Sequence, residues 1–316
     1  MKESFLAAFG AVLPFLIYLG LGYFAVRVHI ADRKFMEQLN RFVFRLIFPF
    51  MTFYNVYKAT EGGMPSLKLM LFCGIGIIAL IIVLMLIVPR FVLEDRRRGV
   101  VVQAIFRSNY VLYGVSMTTL LFPEHASIAG VMTLEVVSIF NIAAVIVLEY
   151  YNRENGQRIK LYQLPLRIIQ NPLLDGCLLG LLFLVLGLRL PPMIEKPVKA
   201  LSDLTTPVAM ITLGGTLMFK DVKRNMNIIA PVIVIRLLIL PVIMLALAWL
   251  IGLRDVELFL VLMGFGTPIA TSSYSMAANM GGDGDLAGEL VFVSTVLSLI
   301  TIFAFIFFMK QLQLIP

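Results

Sequence analysis

Apolar residues run almost unbroken for about twenty positions at a time, and polar residues collect in the gaps between the runs. The runs predict helices near 5–27, 38–57, 68–90, 101–122, 126–150, 165–188, 198–219, 227–251, 258–280 and 286–309. Each approaches the ~20 residues that a helix needs to cross a bilayer core. The runs are continuous rather than alternating, which excludes a membrane β-barrel. The pattern predicts an all-α polytopic membrane protein with ten transmembrane helices.

Composition agrees. Of 316 residues, 60% are hydrophobic and 14% are charged, against roughly 45–50% and 25% in soluble domains. This disfavours a soluble enzyme, a disordered chain or a nucleic-acid binder, and the connections leave no room for a large extramembrane domain. The net charge of +7 sits in short clusters between the runs, as in loops facing anionic lipid. The odd-numbered connections hold Arg27, Arg33, Lys34, Arg90, Arg96–Arg98, Arg153, Arg158, Lys160, Lys220, Lys223 and Arg224. The even-numbered connections and the termini hold Lys2, Lys58, Lys68, Arg189, Lys196, Lys199, Arg254 and Lys310. The odd side wins and is expected in the cytoplasm, which places both termini outside a multi-pass cell-membrane protein. The first run is too long for the core of a cleaved signal peptide, and Arg27 follows it.

A shift of 158, half the chain, superposes Pro14 on Pro172, Gly22 on Gly180 and Pro49 on Pro207. The halves 1–158 and 159–316 each carry five predicted helices. An odd number makes the second half enter the membrane from the opposite side, an inverted repeat of the kind found in secondary transporters.

Helix four contains Arg107-Ser108-Asn109-Tyr110 and Gly114; helix nine contains Gly264, Gly266, Thr267-Pro268 and Ser272-Ser273-Tyr274. Both stretches are breakable, and the shift places Asn109 on Thr267 and Tyr110 on Pro268. A broken helix in lipid needs protein or a water cavity to cover its gap. It exposes N–H groups with partial positive charge, which attract a carboxylate. Asn, Thr, Ser and Tyr add neutral donors. The alternative is that Asn109, Ser272 and Ser273 bond only to neighbouring helices.

The chain resembles the auxin efflux carrier family, the prokaryotic relatives of plant PIN-FORMED proteins. The stretches that carry the resemblance are Asn171-Pro172-Leu173-Leu174 with Gly180-Leu181-Leu182, Pro207-Val208-Ala209 with Leu213-Gly214-Gly215-Thr216-Leu217, Pro268-Ile269-Ala270-Thr271-Ser272-Ser273-Tyr274, and Gly281-Gly282-Asp283 with Leu286-Ala287. The resemblance implies ten helices in two inverted five-helix repeats. Helices 1, 2, 6 and 7 would form a scaffold, and helices 3–5 and 8–10 a transport domain. Broken helices four and nine would cross at the site, as in the bile acid sodium symporter fold. It also implies that Ser108, Asn109 and Tyr110, with Thr267 and Pro268, contact an organic anion. Relatives carry a proline after Gly114, where this chain has Ser116.

Intramembrane carboxylates relay protons or bind cations. Glu135, deep in helix five, is the first coupling candidate, followed by Asp175; Asp203 and Glu289 are expected at the membrane interface. Arg107 is expected to pair with substrate or Glu135, or to cap a half-helix. Arg41 and Arg45 are expected to snorkel from helix two. The Gly281–Asp285 stretch reads as a tight turn opening helix ten.

No metal, nucleotide or catalytic motif stands out, and no cofactor is expected. The expected function is secondary, elevator-type transport of a small organic anion, a carboxylate or an auxin-like compound. Coupling to protons is one form and sodium symport the other. A membrane enzyme or sensor is the remaining class. A homodimer formed through the scaffold is plausible.

Overall fold

The computed structural model describes residues 2–58, 65–154, 157–158, 172–216 and 219–315. Helix α1 is Lys2–Arg27. Helix α2 spans 33–57, with Asp32 as its N-cap and a π-helical turn at Val43–Ile47. Helix α3 is Leu67–Ile87. Helix α4 has two halves, α4a at Asp95–Phe106 and α4b at 110–121. Helix α5 is Ala126–Tyr151. After a two-residue ladder between Arg153–Glu154 and Gln157–Arg158, α6 is Pro172–Val185 and α7 is Pro192–Thr216. A short helix, Phe219–Arg224, leads to α8, which spans 226–250 with a π-helical turn at Ile235–Ile239. Helix α9 is again divided, α9a at Asp255–Gly266 and α9b at Ser272–Asn279. Helix α10 is Gly284–Gln311. The predicted start of helix six, residues 165–171 with Asn171, and Leu217 lie outside the described residues.

Among the described residues, Leu67–Arg90, Ile128–Tyr151, Met226–Leu250 and Gly284–Gln311 are helices long and apolar enough to cross a membrane. Helix α3 shows the packing logic. Leu69, Cys73, Ile77 and Leu84 are buried, whereas Leu71, Ile75, Ile78, Ile82 and Leu86 are exposed. A helix apolar on all sides suits lipid on its outer face.

The most extensive pairings tie α1 to α7 and α2 to α6 and α7. These contacts depend on close backbone approach. A Cβ on Gly22 would sit 1.9 Å from the Ile211 carbonyl oxygen, and one on Gly180 would sit 2.8 Å from that of Phe53. Small residues at such points let membrane helices pack backbone to backbone. The remaining helices pack α4a on α5, α9b on α10, and the second half of α8 on α9a, and α10 also packs on α1.

The ends of the helices sort into two faces. At one, Arg33 meets Asp285 at 2.7 Å and Arg97 meets Asp283 at 3.0 Å. At the other, Lys58 meets Glu195 at 2.9 Å, and the Leu190 N–H donates to the Tyr57 hydroxyl at 3.1 Å. The turn before α10 is tight, as its glycines predict. Gly281 has φ +79°, a left-handed conformation that glycine adopts without strain, and Asp283 accepts from the Leu286 N–H to cap the helix. Glu289, expected at the membrane interface, lies near the start of α10. It is buried one turn into α10 and accepts from the Asn225 amide at 2.8 Å, because Asn225 lies over this end of the helix. Asp203 is exposed and pairs with Lys199.

Candidate functional site

The two interruptions have different local causes. Pro268 lacks an N–H and disfavours helical geometry in the residue before it. Thr267 accordingly leaves the helix at φ −78°, ψ 161°. Gly264 and Gly266 weaken the last turn of α9a further. Helix α4 breaks without a proline. Arg107 leaves α4a at φ −88°, ψ 110°, and Ser108 and Asn109 follow, two residues that favour non-helical backbone. The break lies well before Ser116, so it forms here without a proline after Gly114; the Ser116 side chain lies outside the described set.

The two gaps satisfy each other. Ser108 and Ile269 form an antiparallel bridge. The Asn109 N–H donates to the Pro268 carbonyl at 2.9 Å, and the Ala270 N–H donates to that of Arg107 at 3.4 Å. The Ile269 N–H donates to the Ser294 hydroxyl at 3.2 Å. Backbone groups that lipid would leave unsatisfied are thus paired inside the protein. Asn109 is 6% exposed and Thr267 is fully buried.

Three carbonyl contacts come from a residue absent from the sequence-derived candidates. Arg236, in the π-helical turn of α8, is fully buried. Its Nε and Nη2 donate to the Thr267 carbonyl at 3.1 and 2.9 Å, and its Nη1 donates to that of Ile105 at 3.0 Å. A lone arginine within the 227–251 apolar run was the available signal.

Arg107 is buried and has no carboxylate partner among the described residues. Its Nη2 donates to the Asn141 side-chain oxygen at 2.6 Å, and its Nη1 contacts the Met276 sulfur. The expected alternative of an Arg107–Glu135 pair is therefore not formed. Gln103 Nε2 reaches the same sulfur at 3.6 Å, while its Oε1 has no hydrogen-bond partner among the described residues. The hydroxyls of Ser108 and Ser273 are likewise buried without a partner.

The other sequence-derived residues divide by position. The Thr267 hydroxyl donates to the Met263 carbonyl at 3.1 Å. Its proton is spent within its own helix, so in this conformation it accepts but does not donate. Tyr110 packs its ring over Gly114, where a Cβ would meet it at 2.9 Å, and its hydroxyl reaches the Ala129 carbonyl at 3.4 Å. Ser272 opens α9b and is buried. Tyr274 points to another neighbour: its hydroxyl meets that of Thr216 at 2.9 Å. Tyr274 and Thr216 line a polar cleft of about 400 Å³, which Arg33, Asn40, Arg96 and Asp285 also line.

Glu135 stands apart from Arg107. Its Oε1 lies 2.6 Å from where a Gly74 Cβ would sit, against α3, and its Oε2 is buried without a partner among the described residues. Asp175 is exposed in the first turn of α6, remote in the chain from both breaks. Among the described residues, no three His, Cys, Asp or Glu side chains come together to hold a metal. The crossing thus offers a fixed cation, amide and hydroxyl groups and two half-helix N-termini, a set suited to holding an anion.

Comparison with known proteins bears on the same chain. A family model described as membrane transport protein matches residues 7–306. An uncharacterized transporter of Methanothermobacter thermautotrophicus is 25% identical over 301 residues, covering 94% of this chain and 97% of the relative. A protein of Rhizobium meliloti named "Putative malonate transporter" is 22% identical over 313 residues, covering 96% of each.

Proposed function

We propose that this chain, which belongs to the membrane transport protein family of auxin efflux carriers, is a secondary carrier that moves small organic anions across the cell membrane. The observation that carries this reading is a buried guanidinium with no counter-ion among the described residues, Arg107, beside two paired helix breaks. A half-helix N-terminus carries about half a positive charge. The starts of α4b and α9b with Arg107 therefore amount to about +2 on that same principle. A small carboxylate with one or two negative groups offsets such a field. Asn109 supplies a neutral donor, and the hydroxyls of Ser108 and Ser273, which have no partner among the described residues, supply more. Malonate is the probe of choice, since the relative from Rhizobium carries that substrate in its name.

The mechanism proposed is elevator-type alternating access. Ten spans form two inverted five-helix repeats, 1–158 and 159–316. Two observations support this. Asp95–Phe106 and Asp255–Gly266 lie 160 residues apart at both ends, and 33–57 lies 159 residues before Pro192–Thr216. Loops of odd number meet other odd loops, as in Arg33–Asp285 and Arg97–Asp283, and even loops meet even ones, as in Lys58–Glu195. Helices α1, α2, α6 and α7 serve as the scaffold, and α3–α5 with α8–α10 as the moving domain. Asn109 and Ser108 are closed off from solvent here, so substrate reaches them only when the domains shift. Glu135, whose Oε2 has no partner among the described residues, is the proposed proton-coupling group.

Uptake of radiolabelled malonate into proteoliposomes tests the proposal. Asn109→Ala is expected to abolish specific uptake while leaving the folded yield unchanged. Wild-type rates in that variant would remove Asn109 from the site, and no malonate uptake by wild-type protein would remove this substrate.

A further inference from the structure

We propose that Arg236 is a positioning residue of the crossing, a clasp that fixes the ends of both broken helices relative to each other. Helix C-termini leave carbonyls unpaired and carry about half a negative charge each. The ends of α4a and α9a converge on one guanidinium, which donates to Ile105 in the first and to Thr267 at the cap of the second. The charge of +1 matches the two half-charges, and the planar fork of donors serves two acceptors at once. Arg236 has no carboxylate partner among the described residues; carbonyl groups supply its hydrogen bonds.

Its placement links the clasp to the site. Ile105 stands two residues before Arg107, and Thr267 directly precedes Pro268, which accepts from the Asn109 N–H. A change in the spacing of the two ends therefore displaces the Ser108–Ile269 bridge, and with it Asn109 and Arg107. The π-helical turn that carries Arg236 is a feature that recurs at functional sites inside helices. The pairing is one-sided: the positions 158 to 160 residues earlier, in α3, are Ile78, Ile77 and Gly76, so one arginine of the second half serves the breaks of both halves.

Purified Arg236→Lys and Arg236→Gln proteins test this by hydrogen–deuterium exchange and malonate titration. Lysine keeps the charge but loses the fork, and glutamine loses both. Amide exchange across 107–109 and 267–271 is expected to accelerate at least tenfold in both variants, with α1, α2, α6 and α7 unchanged. Malonate affinity falls at least tenfold, more in the glutamine variant. Wild-type exchange at the crossing, exchange raised equally in every helix, or an Arg236→Lys protein that does not fold would each overturn the clasp, since the last two outcomes mark a support of the whole fold. The affinity arm rests on the proposed carrier function. Locally faster exchange in a protein whose wild-type form binds no malonate would uphold the clasp and refute the substrate.

Discussion

Arg107 is costly where it stands. Burying a charge that is not paired carries a large desolvation cost, so removing that charge relieves the empty fold of it. A structural role and a binding role therefore predict opposite signs. If Arg107 holds substrate, Arg107→Gln leaves the empty protein at least as stable as wild type but weakens malonate binding. Hydrogen bonds to a charged group are worth about 1.5–3 kcal/mol, or about 10- to 150-fold in affinity. Thermal melting of the empty protein, with titration of malonate, checks both. A large loss of melting temperature with unchanged affinity would make Arg107 a structural residue. The sequence drew attention to Arg107, Ser108 and Asn109 because polar residues inside an apolar run are few. It could not show that the Thr267 hydroxyl turns back onto Met263, since rotamer choice depends on the neighbours. Arg236 was visible as a letter, but its significance lies in two carbonyls 31 and 131 residues away.

Among the elements, the two broken helices illustrate what proline does and does not decide. Pro268 ends α9a by a local steric rule, readable in the sequence. The end of α4a has no such residue and depends on partners across the crossing. The packing of α1 on α7 has the opposite character, resting on glycines that leave no room. Gly22→Val inserts atoms where the Ile211 carbonyl lies 1.9 Å from a Cβ, and overpacking costs about 1–3 kcal/mol. Gly130, with no atom within 4 Å of its Cβ position, is the matched control. Gly22→Val is expected to lower the melting temperature and Gly130→Val to leave it near wild type. Similar melting in both would contradict the close α1–α7 approach.

For the whole molecule, the ion pairs at the ends of the helices define two faces, and the basic excess predicts that the Arg33–Asp285 face is cytoplasmic. Cysteine labelling of whole cells checks this orientation in a cysteine-free background. Leu93 and Met193 are exposed at opposite faces. Leu93→Cys is expected to react with an impermeant maleimide only after permeabilisation, and Met193→Cys in intact cells; the reverse pattern would invert the molecule. Hydrophobic periodicity anticipated most helices within a few residues but placed two starts late, at 101 where the helix begins at Asp95 and at 198 where it begins at Pro192. Charged residues at those starts, Asp95 to Arg98 in α4a and Glu195 with Lys196 in α7, extend the helices beyond the apolar run.

The most direct test of the account is ligand-induced thermal stabilisation of wild-type, Asn109→Ala and Arg107→Gln proteins by malonate and by its neutral dimethyl ester. A ligand at a hundred times its Kd stabilises the state it binds by about 2.7 kcal/mol. The wild-type protein is predicted to gain a shift of that order with malonate and none with the ester, and both variants to lose most of it. Equal shifts in all three proteins, or equal shifts with the diacid and the ester, would contradict an anion held at the crossing.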